Sequence, residues 1–240
     1  MSAHRADICI AAIADTFACD AEILASPMGF IPSLGAQLAR RTQAPQLMMT
    51  DGVASLVNIE GVTEAHLPYH EVFHLLWSTK RHVMMGASQL DAYGNQNISC
   101  IGPYKEPKAM LIGCRGAPGN TLYHRTSYWL PKQSARILCE QVDVVCGVGN
   151  DRAAELPPRT RRYHDVHRVV SNLAVFGFND QGRLTILSVH PGVEPTEVHA
   201  ACSFELNTEP VPVTRQPSED ELRILAALDP EEKRYKEVPE

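Results

Sequence analysis

The sequence predicts an α/β fold, and three observations carry the prediction. Short apolar runs of buried-strand length recur between turn-forming residues: Pro45–Met49 (PQLMM), Arg81–Met85 (RHVMM) and Ala109–Ile112 (AMLI). Stretches with helical spacing precede them, and Ser33–Thr42 (SLGAQLARRT), ahead of the first run, sets Leu34, Leu38 and Ala39 on one side. At 240 residues and 44% apolar content, the chain buries a sizeable core as one large α/β domain or two small ones.

Charge and cysteine usage narrow the class. A formal net charge of −6 argues against a nucleic-acid-binding surface, which needs clustered Lys and Arg. The basic cluster Arg159–Arg162, beside Pro157 and Pro158, reads as a solvated loop, an interface or a phosphate contact. Seven cysteines, an odd number with no CxxC pair, fit reduced thiols in a cytosolic protein. No apolar run reaches membrane-spanning length, and the N-terminus lacks a basic-then-apolar signal pattern, so the reading is cytoplasmic.

In chain order, Ala6–Ala14 is apolar with charges on either side. Asp20–Ile23 leads into Ser26–Pro32, where two prolines and a glycine break regular structure before a helix that Ser33 caps. Pro45–Met49 reads as a strand ending at Thr50-Asp51-Gly52. His70-Glu71-Val72-Phe73-His74 spells H-E-x-x-H, with His66 four residues earlier. It lacks a downstream third ligand, and an amphipathic helix with Phe73 and Leu76 packed inward accounts for it, so no metal site is expected. Ala135–Glu140 and Val142–Cys146 are strand-like, and the following Gly147-Val148-Gly149 lacks the third glycine of a dinucleotide loop because Arg152 stands there. Val166–Phe178 contains a strand that turns at Asn179–Gly182 into Arg183–Val189 as a hairpin. Pro195 starts a short helix to Cys202, and His164, His167, His190 and His199 show no catalytic spacing. Ser218 and Glu221 form a capping-box pattern for a helix over Glu219–Leu228, and the charged Pro230–Glu240 reads as surface or poorly ordered chain.

Two loops carry the chemistry. Gly86–Ser99 (GASQLDAYGNQNIS) leaves the end of the Arg81–Met85 strand with Gln89, Asp91, Asn95, Gln96, Asn97 and Ser99 within a few residues. Ligands sit beyond the carboxyl ends of strands in open α/β sheets, but such a cluster also serves as a self-bonded brace. Gly113–Asn120 (GCRGAPGN) is either a backbone cradle for an anion or a tight chain crossing.

The run GASQLDAYGNQNIS resembles the G-A-x-Q-[IVL]-D-x-[YF]-G-N-x-N segment of class I CoA-transferase β subunits, of the glutaconate CoA-transferase type. Ser188–Phe204 is similar to that family's terminal P-G-V element, and the resemblance covers most of the chain. It implies an open, mostly parallel sheet with helices on both faces and a first helix from Arg5 to about Ala14. Residues 1–205 then form the CoA-transferase-like domain, and 206–240 a C-terminal extension with a short helix and a charged tail. It also implies a pocket shaped by the loops at Ser26–Pro32, Thr50–Gly52, Gly86–Asn97 and Gly113–Asn120. Gln89, Tyr93, Asn95, Asn97, Gly116 and Asn120 are the residues expected to meet the substrate or its CoA, and Arg115 could offer a positive charge.

One departure decides the chemistry. The family's S-E-N-G or Y-E-S-G glutamate, which carries CoA as a thioester, is replaced in Met49-Thr50-Asp51-Gly52 by Thr50. A threonine cannot form the acyl anhydride that transfer requires. Asp51 sits one residue late, which on a strand points it to the other face unless a tight turn rotates it back. Thr50 and Asp51 are therefore only weak catalytic candidates. Within the superfamily the chain resembles the β subunits of actinobacterial cholesterol ring-cleaving hydrolases. That implies hydrolytic C–C cleavage of a cyclic β-oxo acyl-CoA by an α2β2 heterotetramer, with a base glutamate in the α subunit. Coenzyme A is then part of the substrate and no separate cofactor is implied. A CoA-transferase β subunit using Asp51 and a non-catalytic scaffolding subunit are the alternatives.

Overall fold

Alanine and isoleucine at almost every turn make the first helix a buried one, packed on all sides. Helix α1 runs Arg5–Phe17, past the expected end at Ala14, and His4 Nδ1 caps it by accepting from Ala6 N at 3.1 Å. The computed structural model describes residues 3–18, 24–52, 55–68, 70–71, 74, 80–207 and 209–239. Asp20–Ile23 and the expected inward packing of Phe73 and Leu76 lie outside them.

The chain continues through β1 (Leu24–Pro27), α2 (Phe30–Arg41), β2 (Met48–Thr50), β3 (Ser55–Val57), β4 (Thr63–His66) and β5 (Arg81–Gly86). Four two-residue strands follow: β6 (Gln89–Leu90), β7 (Gln96–Asn97), β8 (Cys100–Ile101) and β9 (Ala109–Met110). Then come α3 (Ala117–Tyr123), β10 (Arg125–Leu130), α4 (Asn150–Glu155), β11 (Asp165–Ser171), β12 (Ala174–Phe178), β13 (Leu184–Val189), α5 (Pro195–Ala200), α6 (Glu219–Leu228) and α7 (Arg234–Glu237).

Among the described residues, nine strands form one open sheet in the order β13-β12-β11-β10-β5-β1-β2-β3-β4. The five central strands, β11 to β2, run parallel, while a hairpin at each edge pairs antiparallel. The sheet is therefore mixed, with a parallel centre. Helices α1, α2, α6 and α7 cover one face around Ile10, Ile13, Leu38, Met84, Trp129, Leu225 and Val238. Residues Val83, Met85, Tyr128, Leu138, Phe176 and Val198 form the core on the other face, beneath α3, α5 and the irregular chain between β10 and α4. Helices α1 and α2 touch closely at Gly35, where a Cβ would come within 2.3 Å of Ile13 Cγ2. Among the described residues, no helix is long and apolar enough to cross a membrane.

Several local expectations differ from the structure. Pro27 closes a strand instead of sitting in a turn, and α2 begins at Phe30 with Gly29, not Ser33, as its N-cap. Pro32 is tolerated because the first turn has no intrahelical use for its missing N–H. Ala135–Glu140 and Val142–Cys146 are not strands. Their backbone makes separate bonds to the β6–β7 hairpin, Leu90 N to Ile137 O at 2.7 Å and Cys146 N to Gln96 O at 2.8 Å, so no ladder forms. Ala109–Ile112 is an exposed ribbon edge, with Met110 and Ile112 in solvent. The charged tail is docked: Arg234 and Val238 are buried.

Candidate functional site

Parallel strands all present their carboxyl ends on one side, and a cavity opens there. Its volume is about 590 Å³, and its walls come from the residues that follow β1 (Met28, Gly29), β2 (Asp51, Gly52), β5 (Ala87, Ser88) and β10 (Pro131). The glycine-rich loop closes one side with Ile112, Arg115, Gly116 and Ala117, and Asn120 on α3 faces in beside them. The ends of β1 and β2 meet because residue 52 is glycine: it has φ +84°, and a Cβ there would lie 2.3 Å from Pro27 O.

Side-chain alternation decides which strand residues share the face beneath the cavity, and of these Arg81 and Met85 line it. The register pairs Ser26 with Val83, and Leu24 with both Arg81 and Met48, so Ser26, Thr50, Arg81, Val83 and Met85 point to the same face. Thr50 is buried there, donating from Oγ1 to Ser26 Oγ at 3.2 Å and accepting from Gly52 N at 3.1 Å. Asp51 lies on the cavity wall, where the turn brings it round, and its Oδ1 accepts from Ser55 N at 3.0 Å. Arg81 lines the cavity as well, with Nε and Nη2 on Ser26 Oγ at 3.2 and 2.9 Å. Burial pulls its pKa down to about 10, which still leaves it charged at neutral pH. Sequence reasoning took Arg81 only as the first residue of a strand. A cation opening an otherwise apolar run, RHVMM, was the available signal.

The polar run divides by the same alternation. In the β6–β7 hairpin Leu90 pairs with Gln96 and Gln89 with Asn97. Gln96 lines the cavity, while Gln89, Tyr93, Asn95 and Asn97 lie outside its lining. Asn97 Nδ2 donates to Gln89 Oε1 at 2.7 Å, and Gln89 Nε2 to Asp143 Oδ2 at 2.9 Å. Asn95 Nδ2 donates to Asp91 and Asp151 at 2.9 and 2.8 Å, and its Oδ1 accepts from Gly149 N at 2.8 Å. Burial raises the Asp91 pKa, against the hydrogen bonds it accepts from Asn95 and from the Tyr93 and Asn95 backbone. The Tyr93 hydroxyl accepts from Arg183 Nη1 at 3.3 Å. Of the pocket residues expected from sequence, the structure therefore brings Gly116 and Asn120 together and sets the other four in the hairpin that holds Gln96 in place.

The H-E-x-x-H histidines turn to their own glutamate, with His70 Nε2 and His74 Nδ1 at 3.2 and 2.7 Å from Glu71. His66 is on β4, its Nδ1 3.0 Å from Ser55 Oγ. Among the described residues, no group of three His, Cys, Asp or Glu side chains is arranged for a metal ion.

No family model matches the chain. It is 44% identical over 243 residues to the cholesterol ring-cleaving hydrolase IpdB subunit of Rhodococcus jostii RHA1, covering 98% of this chain and 96% of the relative. A chain in the crystal structure of Rhodococcus jostii RHA1 IpdAB superposes with a TM-score of 0.93 at 42% identity, covering 100% of both chains. The glutaconate coenzyme A-transferase of Acidaminococcus fermentans matches with a TM-score of 0.77 at 18% identity, over 93% of this chain and 94% of that one, and so shares the fold. With its sequence aligned over nearly its whole length and its parallel-centred sheet superposed, the chain belongs to the family of cholesterol ring-cleaving hydrolase IpdB subunits.

Proposed function

We propose that this chain is the β subunit of a heteromeric acyl-CoA hydrolase that opens a carbon ring in late steroid degradation. The substrate is a cyclic β-oxo acyl-CoA of the kind cholesterol yields. Water, deprotonated by a base, adds to the ring ketone. The tetrahedral alkoxide collapses, the C–C bond to the α carbon breaks, and its electron pair enters the thioester as an enolate. Protonation of that carbon completes a ring-opened acid, with one water added and the thioester intact.

Such a reaction needs a base, donors for the developing oxyanions and a sheltered cavity, and it needs no acyl-enzyme. The observation that carries the reading is Thr50. At the position where transferases hold their glutamate, a hydroxyl is buried and engaged with Ser26 and Gly52. The base is a glutamate of the partner α subunit in an α2β2 assembly. In this reading Gly116 and Asn120 contact the acyl-CoA, while Gln89, Tyr93, Asn95 and Asn97 brace the wall. Residues 206–240 act as a C-terminal extension that clamps the helical face. Coenzyme A is part of the substrate, and no separate cofactor takes part. The free thiols of Cys9, Cys100, Cys114, Cys139, Cys146 and Cys202 support a cytoplasmic setting.

The test is turnover by the purified two-subunit complex. A cyclic β-oxo acyl-CoA is consumed without any acceptor acid, and label from ¹⁸O-water appears in the new carboxylate. Because Asp51 lies on the cavity wall, the transferase reading gets its own arm. Acetate-dependent CoA exchange that disappears in Asp51→Asn, or a thioester trapped on this chain, overturns the proposal.

A further inference from the structure

Among the described residues, Arg81 is a buried cation whose side-chain hydrogen bonds go to a neutral group. Its side chain is 4% exposed, and two of its three nitrogens share one acceptor, Ser26 Oγ. The third, Nη1, is buried and has no hydrogen-bond partner among the described residues. Among the described residues it makes no ion pair, and burial alone pulls its pKa down. A buried charge without a counter-ion is costly, and nothing in the packing of β1, β2 and β5 calls for one.

A second orphan lines the same cavity. Among the described residues, Asn120 Oδ1 is buried without a partner, and its Nδ2 reaches Met85 Sδ at 3.3 Å. Since rotating an amide by half a turn exchanges its oxygen and nitrogen, the side chain presents either an acceptor or a donor to a ligand. Gln96 Oε1 is a third orphan, so among the described residues three buried unsatisfied polar side chains line one cavity and mark a ligand site.

We propose that Arg81 Nη1, with the Asn120 amide, binds an anionic oxygen of the acyl-CoA substrate. Arg81 is then a catalytic residue of this chain, and Ser26, itself tied to Thr50, is the positioning residue that fixes the fork. The assignment rests on the ring-opening reading for the substrate, though not for the existence of the anion site. The anionic oxygen has two sources: a carboxylate carried on the ring, or the oxygen that becomes negative as the C–C bond breaks.

The experiment uses the complex with its partner subunit and compares wild type, Arg81→Met and Arg81→Lys. The substrates are 2-oxocyclohexane-1-carboxyl-CoA and the same ring bearing an added carboxylate. If the oxygen develops during the reaction, Arg81→Met lowers kcat about 10²–10³-fold on both substrates with KM nearly unchanged. If it is a standing carboxylate, KM rises on the carboxylated ring alone. Arg81→Lys, which keeps the charge but loses the fork, falls at least about 10-fold below wild type. Unliganded Arg81→Met keeps or gains melting temperature, because the uncompensated charge is gone. Isothermal titration with succinate separates this idea from the ring-opening one: wild type binds more tightly than Arg81→Met even in a complex that opens no ring. Arg81→Met within threefold of wild-type kcat/KM on both substrates in a folded complex, or succinate binding equal in both, overturns the assignment. Should Arg81→Met fail to fold, Arg81→Lys with wild-type kinetics overturns it as well.

Discussion

Arg234 Nε donates to Asp7 Oδ1 at 2.7 Å across 227 residues of sequence, and both side chains are buried. Asp229 Oδ2 takes a second arm of the same guanidinium at 3.1 Å, and the Tyr235 hydroxyl reaches Asp7 Oδ2 at 3.2 Å. This network pins α7 to the first turn of α1, beside Val238 in the core. Arg234→Ala should lower unfolding stability by about 3–5 kcal/mol, because it leaves two carboxylates buried without their partner. Denaturant melts of the complex check this, and an unchanged midpoint would mean that the tail unfolds on its own.

The start of α6 is tied to the same region by Arg215, which bridges Asp15 and Glu221 at 2.7 and 2.8 Å. The Arg215 hydrogen bond, partly opposed by burial, holds the Glu221 pKa below its ordinary 4.5. A depressed carboxylate stabilises the fold above its unfolded value, and that contribution is lost as pH falls through the folded value. Stability should therefore drop below pH 4.5, and Glu221→Gln should flatten that acid limb of the stability curve.

Two histidines set a second pH window. Burial pulls His190 down to about 4, where it sits between Thr214 Oγ1 and Ser171 O, and burial beside Arg168 and His82 does the same for His167. The unfolded chain takes up these protons first, so stability should fall from pH 6.5 towards about 4. Melting temperatures across that range should show a shallower slope in His190→Gln, and shallower still when His167→Gln is added.

Asn95 and Gly149 are locked together: a Cβ on Gly149 would come 2.5 Å from Asn95 N. Gly149→Ala should cost about 1–3 kcal/mol through overpacking. Asn95→Ala should cost a similar amount by leaving buried partners unpaired. In the fraction that stays folded, the KM for acyl-CoA should remain within twofold of wild type. A large rise in KM for Asn95→Ala would put Asn95 in contact with the ligand instead.

Much of the architecture is legible in local pattern. The continuous apolar run of β5, the capping box of α6 and the β12–β13 hairpin all follow from periodicity and turn chemistry, which are properties of neighbouring residues. Thr50 could be set against the transferase glutamate from four letters. Misreadings arose where a run's apolar residues are buried one at a time. Leu138 and Cys146 plug separate holes beneath the β6–β7 hairpin, so a strand-like composition yields no strand.

The sequence by itself pointed to the α/β class and to the loops whose residues line the cavity, because each loop is written in adjacent residues. Only the tertiary structure decided which side chains face that pocket. Alternation along β7 turns Gln96 inward and Asn97 away, and the parallel register of β1 with β5 carries Arg81 up to Ser26. The pairing between distant strands fixes which face each residue presents, and that pairing depends on contacts far apart in the chain.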